Sequence, residues 1–206
     1  MLIPRRLIMA AILLIAFLAL GFAVTDLPLV AIDRALPAFA GHAVGVALVF
    51  TRAGTFIYYV ALAALTLLIG SLRRGWFGCA LTIIIALLCA WFSSDLFKEF
   101  FARARPELWY GLRETSYSYA SGHATLSLAF YGGWAYLLAR GVAPSWWRTT
   151  LIALLLIWVL AIGWSRLALG AHYPTDVLGG YLLGGVWLVL ETIAIDRFLA
   201  RRTAPT

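Results

Sequence analysis

Long uncharged stretches of apolar residues alternate with short polar segments along this 206-residue chain. A helix that crosses a bilayer needs about 20 mainly apolar residues, with a range of roughly 17–25. Six stretches meet this requirement, at about residues 7–25, 53–72, 75–97, 121–140, 149–165 and 174–195. The pattern therefore predicts an all-α integral membrane protein, in which six transmembrane helices form one bundle and residues 1–206 form a single domain.

The composition supports this prediction and excludes other classes of protein. Hydrophobic residues make up 64% of the chain and charged residues 12%, whereas soluble domains average about 45–50% and about 25%. Intrinsic disorder is excluded because it requires low hydrophobicity, and two cysteines are too few for a disulfide-stapled mini-protein. The net charge of +7 lies in small groups of cations between apolar runs. No nucleic-acid partner is therefore expected, because such binding needs a contiguous basic face.

The first apolar run follows Arg5 and Arg6, and it can be interpreted as a signal peptide or as a retained helix. Its length exceeds the usual apolar region of a signal peptide, about 7–15 residues, and no clean A-x-A cleavage site follows it. A retained helix is therefore favoured. With a cytoplasmic N-terminus, nine of the 16 Lys and Arg residues fall on the cytoplasmic side. These nine lie in short links and tails with few acids beside them, which favours this orientation more than the count itself does. We expect both termini to be cytoplasmic.

The outer connection between the first two spans has a different character. It is too polar to cross the bilayer, but Ile32, Leu36 and Phe39 recur at helical spacing. This spacing predicts an amphipathic segment, about residues 29–50, that lies in the membrane interface.

Chemically informative side chains are concentrated in two outer segments, residues 93–123 and 165–176. An ionisable group near membrane depth costs about 2.5–3.5 kcal/mol on insertion scales, so it indicates a functional site by default. Ordinary solvated loop charge is the alternative. We interpret four residues in that way: Arg103, Glu107, Arg113 and Glu114.

Two cations in the first segment, Lys98 and Arg105, lie seven residues apart and are followed by Pro106. If the third span continues past residue 94 as a helix, Asp95, Lys98 and Arg105 share one face, and both cations can reach one anion. Pro106 would then end that helix. Taken alone, this pattern is equally compatible with chance.

The same segment ends in Ala120-Ser121-Gly122-His123, directly before a long apolar run. We expect Ser121 to be the N-cap, with its hydroxyl accepting hydrogen bonds from the first-turn amides. Gly122 permits close approach to the backbone, and the helix N-terminus favours a bound anion next to His123. A capping motif with an incidental histidine is the alternative interpretation.

The second segment contains Arg166, His172 and Asp176. Pro174 can occupy the first position of a helix, which places Asp176 in the first turn behind His172. A carboxylate next to an imidazole fixes its tautomer and stabilises the imidazolium, as a nucleophilic histidine requires. Arg166 adds a planar guanidinium that suits phosphate oxygens. A purely structural histidine–aspartate pair is the alternative.

Together these elements resemble the active-site pattern of the type 2 phosphatidic acid phosphatases, which is shared with the vanadium-dependent haloperoxidases. The family pattern reads K-x6-R-P, then P-S-G-H, then S-R-x5-H-x3-D. The chain carries it as Lys98…Arg105-Pro106, Ala120-Ser121-Gly122-His123 and Ser165-Arg166…His172…Asp176. Order and internal spacing match. The one departure is Ala120 in place of proline, which removes no reactive group.

The resemblance implies a role for each matched residue. His172 would attack phosphorus and form a phosphohistidine, with Asp176 orienting it, while His123 would protonate the leaving oxygen and later help to activate water. The phosphoryl oxygens would be held by Lys98, Arg105, Ser121, Gly122 and Arg166. The family uses no metal and no other cofactor, and this segment lacks the carboxylate cluster that a magnesium site needs.

A pocket at the outer ends of the third to sixth spans would open towards the headgroup layer, so we expect an amphiphilic substrate. The resemblance implies a lipid phosphate or pyrophosphate in a bacterial cytoplasmic (inner) membrane, with the site facing the periplasm or exterior. Undecaprenyl pyrophosphate is our first choice, followed by phosphatidylglycerol phosphate, phosphatidic acid and lipid A 1-phosphate.

Two other functions stay open. The same intermediate could pass its phosphoryl group to a second lipid, which would make the protein a phosphotransferase. A non-catalytic anion transporter or lipid-binding protein would explain the cations. It would leave His172 and Asp176 without a role, and transporters often show repeated halves, which are not evident here.

Overall fold

The structure is a computed structural model that describes residues 2–26, 30–73, 76–111, 114–140 and 146–203. Within these ranges it contains seven α-helices, one 3-10 helix and connecting loops, so the predicted all-α fold is confirmed. The helices are α1 (Leu2–Asp26), the 3-10 helix (Ala31–Ala38), α2 (Val44–Arg52), α3 (Phe56–Leu72), α4 (Phe77–Phe101), α5 (Gly122–Ala139), α6 (Trp146–Ala168) and α7 (Pro174–Thr203).

Four helices in the described ranges are long and apolar enough to cross a membrane: Ile3–Thr25, Phe77–Phe101, Trp146–Ala168 and Pro174–Ala200. A fifth span results if α2 and α3, which meet at a bend of 48°, are taken as one broken crossing. The predicted spans at residues 7–25, 149–165 and 174–195 fall within α1, α6 and α7. The prediction for 75–97 matches α4, although residue 75 lies outside the described part. The predicted span at 53–72 corresponds to α3, which counts as a crossing only together with α2. The predicted span at 121–140 corresponds to α5 and stays a prediction.

Helix α5 lies at the centre of the bundle, packed against α4, α6 and α7. Its Gly132 and Gly133 face α7 so closely that a Cβ on Gly132 would lie 2.8 Å from Leu188 Cδ2, and one on Gly133 would collide with Glu191. Glycine therefore permits close approach of these two helices. Because protein covers most of α5, its sequence does not need the apolar character of a lipid-facing helix.

The end of α4 differs from the prediction. Ala102 adopts a left-handed conformation, with φ of 45°, and its N–H bonds to the Lys98 carbonyl at 2.9 Å. The helix therefore ends at Phe101, and the expectation that it continues to Pro106, with Arg105 on the face of Lys98, is wrong. Arg105 lies instead in the loop that joins α4 to α5.

The segment predicted at the interface, about residues 29–50, is divided in the structure. It forms the 3-10 helix and then α2, and residue 29 lies outside the described part. Leu36 and Asp33 are buried, whereas Ile32 is exposed. The 3-10 helix packs on α7 and α2 packs on α6, so both pieces contribute to the same end of the bundle.

Candidate active site

The ends of three helices bring four of the predicted site residues to one hollow. Lys98 comes from the last turn of α4, Gly122 and His123 begin α5, and His172 lies in the loop before α7. Together with Glu114 they line a cavity of about 240 Å³. Both imidazoles, 49 positions apart in the sequence, therefore face the same space.

Helix α7 begins at Pro174 and carries Asp176 in its first turn, as the sequence predicts. Asp176 Oδ2 lies 3.5 Å from His172 Nδ1 and accepts a bond of 2.5 Å from the Ser118 hydroxyl. The Tyr173 N–H donates to the same oxygen at 2.8 Å. Both His172 and Asp176 are buried, so this carboxylate is held in one orientation behind the ring.

The other ring nitrogen, His172 Nε2, lies 3.1 Å from Arg105 Nη1. A guanidinium can only donate, so Nε2 accepts this bond and the proton belongs on Nδ1, facing Asp176. This is the tautomer that a nucleophilic imidazole needs, with its lone pair at Nε2. We assign it from the hydrogen-bond partners.

Arg105 is fixed by several bonds to the neighbouring loops. Its Nε donates to the Ser116 carbonyl at 2.6 Å, its Nη2 to the Ser116 hydroxyl at 3.0 Å, and its Nη1 to the Ala171 carbonyl at 2.9 Å. Its Nη2 also forms an ion pair of 2.7 Å with Glu114 Oε2. The guanidinium is thus oriented before any ligand arrives.

Arg166, in the last turn of α6, is buried and pairs with Glu114 Oε1 and the Thr51 hydroxyl. Its Nε has no hydrogen-bond partner among the described residues. Glu114 therefore bridges the two arginines that the sequence assigns to phosphate binding.

The space in front of Gly122 is bordered by Lys98 and Ser94. A Cβ built on Gly122 would lie 3.5 Å from Lys98 Nζ and 3.4 Å from Ser94 Oγ. Lys98 Nζ also bonds to Asp95 at 3.0 Å. In the described part of the chain, the buried hydroxyls of Ser94 and Ser121 lack partners, as does Arg166 Nε. Buried donors are rarely left unpaired, so this end of the bundle suits an acceptor-rich ligand.

Ser121 occupies the N-cap position of α5, but its hydroxyl makes no capping bond. The expectation of a side-chain cap is therefore wrong. Its N–H donates to the Asp176 carbonyl at 2.9 Å, and its carbonyl accepts from Thr125. These backbone bonds tie the start of α5 to α7, while the hydroxyl has no hydrogen-bond partner among the described residues.

His123 has a single described hydrogen-bond partner, the Thr51 carbonyl, 3.1 Å from Nε2. A carbonyl can only accept, so Nε2 carries a proton. Thr51 lies at the end of α2, beside the bend that leads into α3. The bend therefore orients His123, which the sequence did not indicate.

Three functional residues were missed in the sequence. Arg103 is buried and donates from Nη1 to Asp176 Oδ1 at 2.5 Å and from Nη2 to Asp33 Oδ2 at 2.7 Å. Asp33 also accepts from the Thr175 N–H at 3.0 Å. The interpretation of Arg103 and Glu114 as solvated loop charges is therefore wrong. Asp33 is followed directly by Arg34 in the segment predicted at the interface, and only its burial in the structure distinguishes it.

The other two loop charges have different outcomes. Glu107 is exposed, in agreement with its interpretation as solvated charge. Arg113 lies outside the described residues.

Burial and the surrounding cations decide the charge states of the loop residues. Burial lowers the pKa of His172 well below its usual 6.5, and Arg105 and Arg166 lower it further. Burial alone would raise the pKa of Glu114, but Arg166, His172 and Arg105 outweigh this effect and lower it. Burial opposes the charge on Arg103, yet Asp176 and Asp33 raise its pKa. At neutral pH the site therefore holds a neutral His172 imidazole and an ionised Glu114.

This chain is similar in sequence to a known family and to several known proteins. A family model described as the PAP2 superfamily matches residues 76–199. A lipid A 1-phosphatase of Rhizobium etli is 32% identical over 139 residues, which cover 62% of this chain and 54% of that protein. An undecaprenyl-diphosphatase of Sulfolobus acidocaldarius is 28% identical over 159 residues, which cover 74% of this chain and 70% of that protein. This chain thus spans about half the length of the Rhizobium relative.

A solved structure shares the fold. It is the crystal structure of the first transmembrane PAP2 type phosphatidylglycerolphosphate phosphatase, from Bacillus subtilis. The TM-score is 0.76 at 24% identity, and the match covers 91% of this chain and 96% of that one. Together with the apolar helices, this likeness identifies a multi-pass membrane protein.

Proposed function

This chain belongs to the PAP2 superfamily, and on that premise we propose that it hydrolyses the terminal phosphate of a membrane lipid through a phosphohistidine, without a metal ion. One observation carries the proposal. A neutral, buried His172 backed by Asp176 borders the same hollow as His123, Lys98 and the N-terminus of α5. An anion-binding protein without chemistry would not need the two imidazoles.

In the first step, His172 Nε2 attacks phosphorus. A phosphorus–nitrogen bond forms while the bond from phosphorus to the lipid oxygen breaks, and the electron pair of that bond leaves with the oxygen. Asp176 stabilises the positive charge that develops on the ring through Nδ1–H. Arg105, Arg166 and Lys98 neutralise the charge on the equatorial oxygens, since phosphoryl transfer depends mainly on positioning and electrostatic stabilisation.

In the second step, water replaces the lipid. His123, which gave its proton to the departing lipid oxygen in the first step, now accepts a proton from the water that attacks phosphorus. The phosphorus–nitrogen bond breaks, inorganic phosphate leaves and His172 is neutral again. The unpaired hydroxyl of Ser121 and the first amides of α5 supply donors to the phosphoryl oxygens.

An adjoining hollow supports an amphiphilic substrate. Its volume is about 600 Å³, it shares His123 and Glu114 with the smaller cavity, and apolar side chains such as Leu48, Trp109 and Leu169 line it. Undecaprenyl pyrophosphate is the first candidate, followed by phosphatidylglycerol phosphate, lipid A 1-phosphate and phosphatidic acid. The names of the relatives and of the solved neighbour fall within this set.

The proposal includes the arrangement in the membrane. We take α5 as a further span, which brings the total to six, and residues 1–206 as a single domain in a bacterial cytoplasmic membrane. Both termini would be cytoplasmic, and the hollow would face the periplasm or exterior. A cysteine-reactive, membrane-impermeant probe on Glu107→Cys in intact cells tests this orientation, since Glu107 is exposed in the loop after α4.

The reaction is tested with the purified full-length chain and the four candidate lipids, with liberated phosphate as the readout. His172→Ala should abolish turnover and also the base-stable phosphoenzyme formed from labelled substrate. His42→Ala is the matched control, because His42 is exposed and apart from the hollow. Phosphate release by His172→Ala at a near-parental rate would exclude the nucleophile. Label transferred to a second lipid would identify a phosphotransferase, and anion binding without turnover would favour the non-catalytic alternative.

A further inference from the structure

We propose that Glu114 is a displaceable internal anion: in the ligand-free protein its carboxylate occupies the phosphate position between Arg105 and Arg166, and a phosphate group must displace it to bind. The inference deepens the proposed function and rests on it for the identity of the ligand.

The geometry is that of a bound anion. Glu114 Oε2 pairs with Arg105 Nη2 at 2.7 Å, while Oε1 pairs with Arg166 Nη2. Each oxygen of the carboxylate is thus taken by one guanidinium, as two oxygens of a phosphate group would be. The carboxylate also borders the hollow that contains Lys98 and His172.

The side chain of Glu114 lies where it can move away from the two arginines. It lies in the loop between α4 and α5, outside any helix, and its side chain keeps 32% of its exposure. Asp176, by contrast, is fully buried in the first turn of α7. Withdrawing Glu114 therefore does not require a helix to unpack.

Arg166 needs an anionic partner whenever no ligand is bound. Arg166 keeps only 4% of its side-chain exposure, and a buried cation without a partner is strongly unfavourable. Glu114 supplies the missing charge until a ligand does. Because the surrounding cations keep its pKa low, exchange for another anion, rather than protonation, is what removes it at neutral pH.

This exchange favours ligands that bind the two arginines more strongly than the Glu114 carboxylate does. A terminal phosphate carries up to two negative charges and three free oxygens, whereas the phosphodiester of an ordinary bilayer lipid carries one charge and two free oxygens. A diester therefore offers the arginines no more than the carboxylate already provides. Glu114 thus keeps abundant diester lipids out of the site, and its return after hydrolysis helps to expel inorganic phosphate.

The test is direct binding of inorganic phosphate to detergent-purified full-length protein, measured by calorimetry near pH 7. We expect Glu114→Gln to bind phosphate at least about tenfold more tightly than the parent, because a neutral amide competes for the arginines much more weakly than a carboxylate does. Vesicles of phosphatidylglycerol, a phosphodiester, should then inhibit phosphate binding by Glu114→Gln but not by the parent. Glu107→Gln removes the same charge from an exposed position of the same loop and should leave both measurements unchanged.

Equal or weaker phosphate binding by folded Glu114→Gln would overturn the inference and make Glu114 a residue that only orients the arginines. If Glu114→Gln does not fold, Glu114→Asp replaces it. Its shorter side chain should not span both guanidiniums, so binding tighter than the parent supports the inference and unchanged binding overturns it. Tighter binding with no turnover of any lipid would reject the proposed function alone, and turnover without tighter binding would reject the internal anion alone.

Discussion

Two charged clusters lie at opposite ends of α5 and α7, and they are built from similar residues. The outer cluster surrounds His172 and Asp176 at the start of α7. The inner cluster surrounds Asp196, twenty residues later, or about 30 Å along the helix. Asp196 accepts from Arg6 at 2.8 Å, from Tyr136 at 2.8 Å and from Arg140 at 3.0 Å.

The two clusters differ in whether buried hydrogen-bond donors are left without an acceptor. In the inner cluster the side chains pair with one another, since Tyr136 also accepts from Arg6 at 3.1 Å. Its ionic side chains keep 22–50% of their exposure. In the outer cluster, buried donors on Ser94, Ser121 and Arg166 have no acceptor among the described residues, and a cavity adjoins them. Charge alone therefore does not identify a site. Burial with unpaired donors around a hollow does.

Removing single outer cations should have the largest effect. Lys98→Ala, Arg105→Ala and Arg166→Ala should each lower kcat/KM for the lipid substrate by about 10²–10³, the usual cost of one donor to transition-state oxygens. Arg6→Ala in the inner cluster is the control and should change it by less than about threefold, since it removes a partly exposed ion pair. Phosphate release at saturating and limiting substrate measures both. If Arg6→Ala matched Arg166→Ala, the distinction between the clusters would be lost.

The buried Asp33–Arg103–Asp176 chain should have the next largest effect. Asp33→Asn leaves Arg103 with one carboxylate instead of two. Arg103 should then pair more strongly with Asp176 and reduce the support that Asp176 gives to the His172 imidazolium. We expect kcat to fall by about tenfold with KM nearly unchanged, because the lost stabilisation arises in the transition state.

Arg103 provides the companion test. Arg103→Lys should recover part of the kcat lost in Arg103→Ala, because an ammonium still reaches one carboxylate but cannot bridge two. A purely structural role for these residues would instead lower the amount of folded enzyme and leave its kcat and pH profile intact.

The outer cluster was only partly predictable from the sequence. His172, Asp176, Lys98 and Arg166 could be found because each is costly near membrane depth and their spacings match a family pattern. Glu114 and Arg103 were assigned to solvent, because the sequence does not reveal that the loop after α4 folds inward. That inward path depends on the left-handed turn at Ala102, which residue type does not predict.

The number of spans is also only partly predictable from the sequence. Apolar length identifies α1, α4 and α6, which face the surroundings over most of their length, and also α7, whose apolar window is 56% buried. Helix α5 is recognised less well, since its neighbours cover it and its glycines serve contacts with α7. Protein packing, which is a tertiary property, determines its composition.

The pH dependence of turnover tests the roles proposed for the two histidines of the outer cluster. Nucleophilic attack needs neutral His172, whose pKa is lowered by burial and by Arg105 and Arg166. As pH falls, kcat/KM should therefore decline on an acidic limb that lies below 6.5, by about tenfold per unit. Loss of the His123 proton should produce an alkaline limb and a bell-shaped curve. A flat profile from about pH 5 to 9 would contradict the paired histidine roles.

The inner cluster should give the smallest effect, and on a different property. Asp196→Asn removes the acceptor charge shared by Arg6 and Arg140 but retains an amide oxygen that can accept hydrogen bonds. Partly exposed ion pairs contribute about 0–1 kcal/mol each, so the unfolding midpoint in detergent should fall by only a few degrees. Turnover should stay within about twofold of the parent, because this cluster lies about 30 Å from the hollow along α7, too far to contact a phosphate group bound there. A loss of turnover at an unchanged unfolding midpoint would mean that the two ends of α7 are coupled, and that pairing within the inner cluster is not purely structural.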